Sequence, residues 1–116
     1  MTGAWSEWEQ RLSHIQAAVE LWTERTKTAP VVPVGSALRG DDRPGPTVSN
    51  IAWYPLGIAI EHLDFTLSMM RATQAMYPTS YMTTLRTALL TASQAVWVLA
   101  PSKRVERRGR AMRLRM

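Results

Sequence analysis

Two groups of side chains in this sequence have the types and spacing to do chemistry. The first is Glu61-His62-Leu63-Asp64. On a helix, Glu61 and Asp64 lie three residues apart and share a side, close to Ile60 and Leu67. An imidazole flanked by carboxylates can serve as an acid or base, which makes His62 the one candidate for proton transfer. The simpler expectation is structural. Arg86 stands next to Leu85 in a later segment, and a lone arginine among leucines needs an anion. An ion pair from Arg86 to Glu61 or Asp64 would fix the register of two helices.

The second group is a run of cations. Residues 1–101 carry seven basic and eight acidic side chains, whereas residues 102–116 carry Lys103, Arg104, Arg107, Arg108, Arg110, Arg113 and Arg115 against Glu106 alone. The excess positive charge therefore sits entirely in the last 15 residues, net +6 against net −1 before them. Seven cations in that span can neutralise phosphates and give salt-dependent, sequence-independent binding to RNA or DNA. Arginine outnumbers lysine twelve to two, so part of this charge is expected to be a plain solvated face.

Other chemistries lack their residues. Gly35-Ser36-Ala37-Leu38-Arg39-Gly40 has no Gly-Lys-Ser/Thr ending for a phosphate loop, and no G-x-S-x-G elbow occurs. There is no cysteine and there are two histidines, too few for a zinc site without converging carboxylates. His14, beside Ile15 on a polar-flanked stretch, is expected at the surface. No catalytic residue, metal or cofactor is therefore assigned. The start of the chain lacks the basic and apolar runs of a secretion signal, and no stretch approaches the roughly 18 apolar residues of a membrane span. A cytoplasmic protein without a membrane partner is the expectation.

Helices must position these groups. The large apolar residues Trp5, Trp8, Leu12, Ile15, Val19 and Trp22 alternate at spacings of three and four, the seam of a packed helix. Trp53, Leu56, Ile60, Leu63, Leu67 and Met70 repeat the pattern, and Met82, Leu85, Leu89, Ala92, Val96 and Leu99 repeat it again. Four of the five tryptophans fall on these seams, and core packing accounts for them. Pro55 suits a first helical turn, Tyr77-Pro78 suits a helix end, and Thr79 or Ser80 can cap the next helix. Pro101 stops the third helix.

The expected fold is all-α: an antiparallel bundle of about four helices forming one domain over 1–116, with helices at 4–27, 55–76, 80–100 and a basic helix at 102–116. Residues 28–52 hold four of the seven prolines and three of the six glycines, and read as a long crossover or disordered insertion. The basic helix has Gly109 at its centre, a weak seam of Val105, Met112 and Met116, and no stop signal. Its pattern runs on to Met116, so missing C-terminal helices or a homo-oligomer are expected to complete the bundle.

One resemblance attaches to the second half. Leu85-Arg86-Thr87-Ala88-Leu89-Leu90, the alanine-rich stretch to Trp97-Val98-Leu99-Ala100-Pro101, and Arg104-Val105-Glu106-Arg107-Arg108 together resemble an uncharacterised family of helical proteins. That family is similar in outline to HEPN-type bundles, some of which are ribonucleases of defence and toxin–antitoxin systems. Glu61-His62-Leu63 resembles the Asp-His-Leu of the family's preceding helix. The resemblance covers residues 55–116. HEPN nucleases carry Arg-x4-6-His, and neither histidine here follows an arginine at that spacing. The resemblance thus implies a non-catalytic relative acting through protein contacts or self-association. The alternatives are a nucleic-acid-binding module built on the C-terminal arginines and an RNA-cleaving enzyme that uses His62.

Overall fold

The computed structural model describes residues 3–28, 32–42 and 47–115, with side chains for 6–28, 32–42 and 47–114. All regular structure among the described residues is helical: α1 Gly3–Thr26, α2 Ala37–Asp41, α3 Val48–Thr73, α4 Pro78–Leu99 and α5 Arg104–Arg115. The all-α bundle expected from the three seams is the architecture found. No described helix is long and apolar enough to cross a membrane.

Helix α3 is the axis. It touches each of the other four helices, whereas among the described residues α1 touches only α3. Its length is explained by its N-terminal end. Val48 and Ala52 are buried, so the chain gains core contacts by beginning the helix at residue 48 instead of the expected 55. Pro55 consequently is the eighth residue of the helix, two full turns in. There it deprives the Ile51 carbonyl of its helical donor, a cost its own burial helps offset. At the other end Gln74 adopts the left-handed conformation, φ 49°, and its N–H closes the helix on the Met70 carbonyl at 3.0 Å. Helix α4 starts at Pro78, not at residue 80. Proline is tolerated at a first helical position because its missing N–H has no helical acceptor to lose.

The stretch 28–52 is less open than its composition implies. Ser36 caps α2 by accepting the Arg39 N–H at 3.2 Å, and α3 absorbs the last five residues. Val34 is exposed, while Val31 and residues 43–46 fall outside the described residues.

Two apolar clusters form the core. Val48, Ala52, Val98 and Ala111 join α3, α4 and α5, with Leu38, Ile51, Trp97 and Leu114 around them. Leu12, Val19 and Leu67 join α1 to α3, flanked by Leu63 and Met70. On the side of α3 that faces α4, Thr66 Oγ1 meets Thr84 Oγ1 at 2.6 Å and also donates to the His62 carbonyl.

The seam expected on α4 does not face this core. Tyr81, Ala88, Thr91, Ala95 and Val98 are the residues turned inward. Met82, Leu85, Leu89, Val96 and Leu99 keep 60%, 41%, 71%, 67% and 44% of their surface exposed. Small residues win the inner position because they let α3 and α4 approach closely. Thr91 is tolerated there because its hydroxyl bonds back to the Thr87 carbonyl at 2.8 Å. Both faces of α4 are apolar, so periodicity picks out a face without saying which one is buried.

The other seams also need correction. On α1, Leu12 and Val19 are buried but Trp8, Ile15 and Trp22 are exposed; the side chain of Trp5 is outside the described set. Arg11 and Arg25 lie over the Trp8 and Trp22 rings at 5.7 and 5.1 Å. On α5, Ala111 is buried while Val105 and Met112 are exposed, and Met116 is not described. The molecule is correspondingly open. Its radius of gyration is 17.4 Å, against about 13 Å for a compact chain of this length.

Candidate functional site

The C-terminal arginines are drawn together by one carboxylate. Asp41, at the end of α2, is completely buried. Arg104 Nε donates to its Oδ1 at 2.9 Å, Arg107 Nε donates to its Oδ2, and Arg107 Nη2 reaches Oδ1 at 3.0 Å. Arg107 Nη1 also donates to the Pro101 and Ser102 carbonyls, both at 3.0 Å. Arg108 Nη1 donates to the backbone carbonyl of Asp41 at 2.8 Å. Arg110 donates to the Trp97 carbonyl at 2.7 Å, with its guanidinium 4.8 Å from the Trp97 ring centroid.

Local sequence explains why the clasp forms here. Gly40 leaves room for the Arg104 guanidinium, since a Cβ at that position would come within 2.2 Å of Nη2 and 2.7 Å of Cζ. Asp42 is engaged separately, accepting the Ser49 N–H at 2.9 Å and the Ser49 hydroxyl. This pairing ties α2 to the first turn of α3. The Arg107 hydrogen bond is the main influence holding the Asp41 carboxyl below its ordinary value. Burial opposes it, and the charges of Arg107 and Arg104 add to it. The same hydrogen bond raises Arg107. An ion cluster with every carboxylate oxygen engaged is a structural joint, and it leaves no vacant position for a substrate.

The cations named from sequence therefore divide. Arg104, Arg107, Arg108 and Arg110 spend donors on the protein itself. Lys103 and Arg113 are exposed, and the Arg115 side chain lies outside the described set. Sequence reasoning missed Asp41 as their organiser. The available signal was a helix with six surplus cations, which needed an anion in one of the few places where acids stand together.

The Glu61–His62–Asp64–Arg86 group does not assemble. Arg86 is exposed on α4, and no ion pair joins it to Glu61 or Asp64 among the described residues. The reason is rotational. Glu61 and Asp64 turn toward the end of α1, where they line a cleft of about 440 Å³ with Thr23, Thr26, Lys27 and Trp53. Lys27 is itself paired with Glu24 at 2.7 Å. The half-buried His62 ring sits with Nδ1 2.8 Å from the Ile58 carbonyl, a bond that places the proton on Nδ1 and occupies that nitrogen. Among the described residues no three His, Asp or Glu side chains converge as a metal site would require.

What remains is the apolar strip on α4: Met82, Leu85, Leu89, Ala92, Val96 and Leu99. It spans nearly the whole helix, and Arg86 is the helix's one charged residue. Beside its C-terminal half, Ala92, Ser93, Val96, Trp97, Ala100 and Arg110 line a shallow depression. Each of the five large side chains in the strip leaves tens of Å² of carbon surface in water, together several hundred Å². That is the size of patch that marks a contact surface. Compared with known proteins, the chain matches no family model, no curated protein and no solved structure.

Proposed function

We propose that this chain is a non-catalytic helical module that works through protein contacts, made by the apolar outer face of α4. The observation that carries the reading is the exposure of Met82, Leu85, Leu89, Val96 and Leu99 on one continuous seam. Such a seam has the spacing used to interlock with another helix, and leaving it in water costs free energy that a partner would recover. Kinship with the HEPN-like helical family fits this reading and rests on the residue pattern from 55 to 116. The nucleic-acid reading has less support, because four of its seven cations are already engaged within the protein. The ribonuclease reading needs a group beside His62 to share the chemistry, and Arg86 is on another face.

The test is a paired comparison of the protein with its Leu89→Glu/Val96→Glu variant. Both positions are exposed, so helix content and melting temperature should stay the same. The unmodified protein should bind an apolar fluorescent dye, and the variant should bind at most a small fraction as much. Identical dye binding in the two proteins would overturn the reading.

A further inference from the structure

The unpartnered surface extends beyond α4. Helices α1 and α4 both lie against α3 and, among the described residues, make no contact with each other, so they flank it like the arms of a V. Internal contacts fix which side of α3 each arm uses. Thr66 bonds to Thr84 on the α4 side, while Leu67 packs with Leu12 and Val19, and Arg71 pairs with Glu9 at 2.7 Å, on the α1 side. At roughly 100° per residue, Leu63 and Met70 fall between these two contact lines, and both remain only half-buried. Turning each arm from its α3 contact toward Leu63 and Met70 brings up Trp8, Ile15 and Trp22 on α1. On α4 it brings up Leu85, Ala92 and Leu99, with Leu89 and Val96 at the lip. The strips left exposed on the two arms therefore face one groove. Helix α5 covers α3 and α4 from the opposite side, through Ile51, Trp97 and Leu114.

The charges around this groove are uneven. Arg11 and Arg25 project from the α1 edge beside the tryptophans, and Arg86 stands on the outer side of α4; Glu7, the acid on the α1 edge, is paired with Arg11 at 3.4 Å across an exposed surface. The other acids of α1, namely Glu9, Glu20 and Glu24, turn to the far flank on the same helical count. Helix α4 carries no acid at all. A second copy of this chain would bring its own groove arginines up against these and supply only Glu7, already paired with Arg11, to meet them.

We infer that the groove is a receptor for one amphipathic helix from a partner protein, with apolar residues at alternating spacings of three and four and carboxylates on both flanks. The apolar edge would lie on Leu63 and Met70 between the arms, and the carboxylates would reach Arg11, Arg25 and Arg86. The strip from Met82 to Leu99 is about 26 Å long at 1.5 Å per residue, so the occupant needs about 18 residues or more. The inference rests on the protein-contact reading and adds the shape and charge of the partner.

Calorimetry with two designed helical peptides tests it on the full chain. Both carry leucines at the seam positions; one has glutamate and the other lysine on the flanks. The glutamate peptide should bind one-to-one in the micromolar range, at least tenfold more tightly than the lysine peptide. Arg11→Glu/Arg25→Glu should erase or reverse that preference, and Ile15→Glu should weaken the glutamate peptide at least tenfold, with circular dichroism unchanged in each variant. Equal affinity for the two peptides, or binding of neither, would overturn the inference. A stable dimer by light scattering that excludes the glutamate peptide would also overturn it, identifying a second copy as the occupant while leaving the protein-contact reading intact. Failure of the Leu89→Glu/Val96→Glu comparison, by contrast, removes both.

Discussion

The end of the molecule where α2 meets α5 and the open side between α1 and α4 handle excess in opposite ways. At the first, a surplus of cations is absorbed internally: Asp41 holds Arg104 and Arg107, and backbone carbonyls take up Arg108 and Arg110. At the second, a surplus of apolar side chains is left in water, with Leu89 and Val96 among the most exposed large residues of α4. Composition alone suggests the reverse, a sticky basic tail and a self-contained apolar body. The difference shows that an excess becomes an interaction surface only when the fold provides no internal partner for it. A single buried carboxylate and a few backbone carbonyls were enough to engage four of the six C-terminal arginines. No residue of the described chain covers the α4 seam.

The contrast can be broken most severely at Asp41. Asp41→Ala leaves two guanidinium groups facing each other without their anion, and removing one partner of a buried pair costs about 3–5 kcal/mol. Chemical denaturation should show that loss, with α5 the helix that detaches. A destabilisation below about 1 kcal/mol would mean that the clasp is peripheral.

Acid titration sharpens the same side of the comparison. The folded-state value of Asp41 is depressed below the ordinary 3.8. Its contribution is therefore fully present above the unfolded value and is lost as the pH falls from about 4 through the lower folded value. Thermal melts between pH 5 and pH 2 should show a steeper decline for the unmodified protein than for Asp41→Asn, which has no carboxylate to protonate. Parallel curves would contradict the assignment.

The smallest effect belongs to the open side. Leu89→Gln removes no buried contact, so stability in denaturant should change by no more than about 0.5 kcal/mol. A loss of about 2 kcal/mol would show that Leu89 is buried in solution, by another copy or by a rearranged α1.

Much of the fold was legible because three segments carried the same spacing and prolines marked their limits. The number of long helices and their order can be read from that pattern alone. Rotation could not. On α4, alternate choices of inner face were both apolar, and close approach through Ala88 and Ala95 decided between them. No periodicity encodes that preference. The start of α3 was set by tertiary burial of Val48 and Ala52, which outweighed the local preference for proline in a first turn. For the site, the arginines themselves were plain to see, but their partner stood more than sixty residues away in an aperiodic run. Residues that distant in sequence meet only once the helices have been placed. The Arg86 pairing failed for the same reason, since it presupposed a rotation of α4 that the packing does not adopt.

The isolation of α1 has a consequence for how the molecule opens. A helix that touches one neighbour, through Leu12, Val19 and the Glu9–Arg71 pair, can leave the rest without disturbing the Val48–Val98 cluster. Its detachment is then a separate equilibrium, with a free energy below that of global unfolding. The arm bearing Trp8 and Trp22 is in that sense a hinged jaw, and any body seated in the groove would tighten the hinge by the work of its own binding.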